Sequence, residues 1–161
     1  MSAFFNFIYL LGLALWIGEV FFFASVGGPA IFKTLERQLA GDVVTAVFPK
    51  YYLLGAICGG GALLSAVALW TISISTPSWF NILRTALLVV MLGLWLYSGY
   101  VLRPQAHEVR TELRTLAEGS PGHSELSARF GSMHKRSVMI NGTVLILGIA
   151  LVFFTGYNYR D

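Results

Sequence analysis

The sequence predicts an all-α integral membrane protein, an up-and-down bundle of four transmembrane helices. Three observations predict it. Charged residues make up only 12% of the 161, against roughly 25% in a soluble domain, and mean hydropathy is +0.69. Four apolar runs, 3–26, 51–74, 79–101 and 137–157, each reach the length of about 20 residues that crosses a hydrocarbon core of about 30 Å. The basic residues also divide by side. Lys33, Arg37 and Lys50 lie between runs one and two, and Arg103, Arg110, Arg114, Arg129, Lys135 and Arg136 lie between runs three and four. The opposite side has Arg160, with Arg84 a little inside run three. By the positive-inside rule this expects a multi-pass inner (plasma) membrane protein with charged loops in the cytoplasm and both termini outside. The spans fill more than half the chain, so residues 1–161 are expected to form a single membrane domain.

The first run has no Lys or Arg before Lys33 and an apolar core too long for a signal peptide, so it is expected to remain as a helix. Gly27-Gly28-Pro29 is expected to stop it. Ile31, Phe32, Leu35, Leu39, Val43 and Val47 then recur at three- and four-residue steps, predicting an amphipathic helix on the cytoplasmic surface, with a break near Gly41. Phe48-Pro49 should turn the chain into span two, and Tyr51 and Tyr52 suit the interface. A short turn over 73–78 leads to span three. From about 102 to 136 the chain is polar but helix-periodic, with a turn signal at Gly119-Ser120-Pro121-Gly122 and Ser124 as a helix cap. This predicts a cytoplasmic helical hairpin that extends spans three and four by roughly 20 Å, kinked at Pro104.

Residues seven apart share a helix face. Such lines run through Phe5, Gly12, Glu19 and Val26; Tyr51, Cys58 and Ser65; Arg84, Met91 and Ser98; and His134, Asn141, Gly148 and Thr155. Counted from the cytoplasmic ends, Glu19, Cys58 and Asn141 lie roughly 6–12 Å deep, Tyr97, Ser98 and Ser137 are shallower, and His134 is at the mouth. These residues define an inner polar layer, with Glu19 turned inward and hydrogen-bonded to Asn141 or Tyr97. If the span instead ended near Phe23, Glu19 would lie at the headgroups within reach of Lys33 or Arg37. Intramembrane charge more often marks function. Arg84 belongs to an outer layer with Tyr9, and its side chain is long enough to snorkel outward.

The chain has no zinc-type spacing of His and Cys, no nucleophile triad, no phosphate-binding glycine loop and no dinucleotide fingerprint. Cys58 is the single cysteine. His134, Glu19 and Cys58 are the candidate metal ligands, the soft groups suiting Cu(I). The charge asymmetry reflects membrane orientation, and no nucleic-acid partner is expected. The bilayer is the expected partner.

Trp16-x-Gly18, Pro29, Phe48-Pro49 with Tyr51-Tyr52, Leu102-Arg103-Pro104, and Phe130, His134, Ser137 and Asn141 resemble the pattern of the transmembrane protein 205-like family. The resemblance implies a four-helix membrane protein; animal members are associated with platinum-drug resistance and secretory traffic. A more distant likeness, on the Trp-x-Gly first helix, is to copper resistance protein D and the membrane-embedded protoporphyrinogen oxidase, which would imply copper or haem. In the oxidase type a haem-associated histidine lies seven residues before the tryptophan, where this chain has Tyr9. Tyrosine ligates haem iron in some proteins.

The leading expectation is a non-enzymatic protein that handles a cation, copper among the candidates, or a small solute through the layer around Glu19. Four helices are few for a transporter, so a homo-oligomer is expected, assembled on the small face Gly55, Gly59, Ala62 and Ala66. The alternatives are a haem- or copper-dependent redox enzyme and a scaffold that recruits partners through Arg110 and Arg114 of the hairpin.

Overall fold

The computed structural model describes residues 1–72, 78–117 and 119–158, and it is an all-α bundle. Helix α1 (Ser2–Phe22) passes through a π-helical turn (Phe23–Gly27) into α2 (Gly28–Thr34). Helix α3 (Arg37–Ile72) follows, then α4 (Ser78–Tyr97), a second π-helical turn (Ser98–Leu102), α5 (Arg103–Leu113) and α6 (Pro121–Asn158). Four continuous helical stretches, Ser2–Thr34, Arg37–Ile72, Trp79–Leu113 and Pro121–Tyr157, are long and apolar enough to cross a membrane. At 1.5 Å per residue each is about 50–55 Å long, so every one outruns a hydrocarbon core of about 30 Å. α1 packs on α3, α3 on α4, α4 on α6, and α6 back on α1, which closes the ring expected of an up-and-down bundle.

Three sequence expectations need correction. Gly27-Gly28-Pro29 does not end the first helix. Proline lacks an N–H donor and normally breaks the ladder, but here the turn before it is widened. Gly28 N–H reaches back five residues to the Phe23 carbonyl, and Pro29 enters α2 in its first turn. The chain bends later, at Leu35, whose backbone is extended (φ −109°, ψ 149°). The surface helix expected before span two is likewise absent as a separate element, because α3 runs unbroken through Gly41 and Pro49. Phe48, just before Pro49, packs its ring on Phe23, Tyr51 and Tyr52. Finally, α6 starts at Pro121, and its cap is Ser120 rather than Ser124: the His123 N–H donates to Ser120 Oγ at 3.2 Å, after Gly119 has taken a positive φ of 87°.

The hairpin of α5 and the start of α6 forms as expected, around Leu102, Val109 and Met133. The π-turn at Ser98–Leu102 absorbs Pro104 as the first one absorbs Pro29, with the Arg103 N–H bonding to the Ser98 carbonyl. The turn expected over 73–78 falls, apart from Ser78, outside the described residues, as does Arg160.

The core is aromatic. Phe23, Phe48, Tyr51, Tyr52, Trp95 and Trp16 form one run of ring contacts with centroids 4.9–5.7 Å apart. Bulky rings fit because α3 is thin where they meet it: Trp95 lies against Gly55 and Trp16 against Gly59. Ala62 and Ala66 are fully buried too. The small-residue face expected to join chains together is therefore spent inside the bundle.

Candidate functional site

The heptad lines place most of their polar residues inward. Ser65, Arg84, Ser98 and Thr155 are all buried, and the hydrogen bonds of Arg84, Ser98 and Thr155 define two separate layers.

In one layer Arg84 is 4% exposed. It does not snorkel outward. Its guanidinium donates to the Ala66 carbonyl at 3.1 Å and to Asn81 Oδ1 at 2.9 Å, and it lies over the rings of Tyr9 (5.3 Å) and Phe80 (5.5 Å). Tyr9 OH and Thr155 Oγ1 are hydrogen-bonded at 2.9 Å. Tyr9 and Arg84 thus come together as the sequence implies. Asn81, three residues before Arg84 on the same face, was the signal missed. Tyr9 is fully buried and its hydroxyl is engaged, so it does not fit an axial haem ligand.

The second layer, whose Ser98 lies 14 residues beyond Arg84 on the same helical stretch and so about 21 Å away, is organised differently from the expectation. Tyr52 is its hub. Its hydroxyl meets Ser98 Oγ at 2.8 Å and Ser137 Oγ at 3.4 Å, and the two serines are 3.4 Å apart. Trp95 Nε1 donates to the Tyr52 carbonyl at 2.9 Å. Tyr97, one step round the helix from Ser98, faces out. His134 is exposed on α6, and its neighbour Met133 takes the inward position. Asn141 is half-buried, and its Oδ1 has no hydrogen-bond partner.

Glu19 does not bond to Asn141 or Tyr97. Its Oε2 is buried and has no partner, as is Trp16 Nε1 one turn earlier. The carboxyl lines a groove of about 450 Å³ between α1 and α3, walled by Phe22 and Phe23 on one side and by Ala46, Val47, Lys50, Tyr51 and Leu54 on the other. Tyr51 and Cys58 lie within the electrostatic reach of the carboxylate. Lys50 shares the groove, yet the ion pairs among the described residues are Arg110–Asp42 and Arg114–Asp42 only. A buried polar atom left unpaired costs about 1–3 kcal/mol, and more when it is charged, so this arrangement needs a reason. Among the described residues no group of three His, Cys, Asp or Glu gathers as a metal cluster. With His134 exposed on α6, the expected set of His134, Glu19 and Cys58 is not assembled.

The groove's α3 wall is positioned from behind. Arg110 of α5 donates through Nη1 to the Gly41 carbonyl (2.6 Å) and Thr45 Oγ1 (2.7 Å), and through Nη2 to the Gln38 carbonyl (2.9 Å) and Asp42 Oδ1 (3.0 Å). Arg114 also binds Asp42. A side chain at Gly41 would occupy the space of the guanidinium. The hairpin arginines expected to meet a partner protein are thus turned onto α3. Sequence alone had no signal for this, since Arg110 and Asp42 are 68 residues apart.

These features define a multi-pass membrane protein built on four long helices, with an open, singly acidic groove between two of the helices long and apolar enough to span. Residues 11–115 match the model of a family described as a domain of unknown function, DUF4149, and the chain belongs to that family. The match takes in Trp16, Glu19, Asp42, the groove walls and Arg110, and it ends before α6. An uncharacterised protein of Aquifex aeolicus (strain VF5) is 48% identical over 48 residues, 30% of this chain and 36% of that protein, so the similarity spans about a third of the relative's length. No solved structure matches the chain.

Proposed function

We propose that this chain is a non-enzymatic protein of the inner membrane that binds a cation or a small cationic solute in the groove beside Glu19. The charge distribution favours loops in the cytoplasm and both termini outside. One observation carries the reading: a buried carboxylate oxygen with no partner of its own, on a helix long and apolar enough to span a membrane and in a residue that walls an open groove. Intramembrane ionisable groups face cavities or partners because their exposure to hydrocarbon is costly, and an arriving cation supplies the missing partner. The scaffold alternative loses its main support, since Arg110 and Arg114 are bonded within the chain. The likeness to the transmembrane protein 205-like family is compatible with this reading and adds no residue role to it.

The test is thermal stability of the purified protein in lipid nanodiscs against a panel of cations, inorganic (copper included) and organic. A ligand at about 100 times its Kd stabilises by about 2.7 kcal/mol. At least one cation should raise the Tm of the wild type and leave Glu19→Gln unmoved. Equal shifts in both proteins, or none in the wild type with any cation, would remove the proposal.

A further inference from the structure

We propose that the groove's ligand is a lipophilic organic cation that enters sideways from the bilayer. The inference rests on the reading of Glu19 as a cation-binding carboxylate and adds the class of ligand and its route.

The route follows from exposure. Phe22 and Leu54, on opposite walls, are 59% and 50% exposed. Both lie on helices long and apolar enough to span the membrane, where an uncovered apolar face meets hydrocarbon. The opening is therefore lateral, and a solute that already partitions into the bilayer reaches Glu19 without crossing the water-facing surface.

The ligand class follows from the lining. About 450 Å³ lies within the roughly 300–1,000 Å³ of small-molecule sites, and it is far larger than one inorganic ion requires. A bare metal ion needs about four to eight donor atoms. The groove offers it one carboxyl among aromatic and aliphatic side chains, with the Tyr51 hydroxyl and the Lys50 ammonium as the other polar side-chain groups of its lining. A cation whose charge is spread over apolar substituents has different needs. It gives up little hydration on entering hydrocarbon, one counter-charge suffices, and the faces of Phe22, Phe23 and Tyr51 supply cation–π attraction together with apolar contact.

The sign of the charge is decided by depth. Lys50 is exposed, and its long stem lets the ammonium reach water. The Glu19 oxygen is buried, where the lower dielectric strengthens its field. The deeper, less screened group governs what sits in the groove, and a cation is the ligand that favours its negative form.

The probe is radiolabelled tetraphenylphosphonium, measured by equilibrium binding to the full chain in nanodiscs, with empty nanodiscs subtracted. The wild type should bind saturably, and potassium or magnesium chloride should compete only as far as ionic strength screens. Glu19→Gln should weaken binding by roughly 30-fold or more, the usual effect of removing one partner of a buried charge pair. Lys50→Gln should tighten it by removing a like charge at the mouth, and Leu54→Trp should weaken it by filling the groove with Glu19 left in place. Unaltered Tm values in these last two variants keep loss of fold apart from loss of site. Equal binding by wild type and Glu19→Gln overturns the proposal. So does Lys50-dependent binding of an anionic amphiphile such as oleate in place of the phosphonium. If the phosphonium fails to bind while an inorganic cation stabilises the wild type through Glu19, the ligand class is wrong and the cation-site reading survives. If neither acts, both fail.

Discussion

Alanine at Gly59 is expected to destabilise the bundle by about 1–3 kcal/mol, the usual cost of forcing one more carbon into a filled core. The added Cβ would lie 2.6–2.9 Å from three carbons of the Trp16 six-membered ring. Trp16 cannot give way easily. It is fully buried and edge-on to Trp95 at 5.7 Å and 86°. Trp95 is itself tied to the Tyr52 carbonyl and seated on Gly55. The next two positions supply the control. A Cβ at Gly60 or Gly61 meets nothing within 4 Å, so Gly60→Ala and Gly61→Ala should leave stability unchanged or slightly raised, as alanine favours a helix more than glycine does. Thermal unfolding in detergent reads all three. Loss of stability at Gly60 equal to that at Gly59 would contradict the packing of α1 on α3.

The second large effect is expected at Arg110. Its four acceptors join α5 to the first two turns of α3, and hydrogen bonds from a charged donor contribute about 1.5–3 kcal/mol each at most. Arg110→Ala should release α5, so that amide exchange rises sharply over 37–45 and 103–113 while the Trp16–Trp95 core stays protected. Arg110→Lys should restore little, because one ammonium cannot span four acceptors that a planar guanidinium reaches together. Arg114→Ala should matter much less, since both members of the Arg114–Asp42 pair are substantially exposed and such pairs contribute about 0–1 kcal/mol. Because α3 carries Ala46, Lys50 and Leu54 as a groove wall, Arg110→Ala should also weaken the cation response. Unchanged exchange in both segments would contradict the clamp.

The bundle was legible in the sequence because hydropathy and seven-residue spacing respond to the same burial that organises it. Arg84, Met91 and Ser98 form one inward line, and Gly148 and Thr155 another. The second line fails at His134, where α6 has left the four-helix ring and packs on α5 through Met133. Proline was misleading twice. Pro29 and Pro49 look like stops by the rules for isolated helices, but a π-turn accommodates the first and the helix runs on through the second, beside packed aromatic rings. Glu19 stood out at once as a charge that needed explaining. Its surroundings were not legible, because the distance between α1 and the first half of α3 depends on where Leu35 bends the chain and on a clamp from α5. Tyr52 looked like an interfacial residue and became the hub of the Ser98–Ser137 contacts, since aromatic residues with a hydroxyl suit either setting.

The central claim is that Glu19 is a carboxylate with an unpartnered oxygen, reached from the bilayer. The most direct test treats the intact protein in membranes with dicyclohexylcarbodiimide, a hydrophobic reagent for carboxyl groups, and locates the adducts by peptide mass spectrometry. Of the eight acidic residues in the chain, Glu19 should react first, and tetraphenylphosphonium should protect it. Reaction confined to the other seven carboxylates, or reaction at Glu19 that no cation slows, would contradict the account.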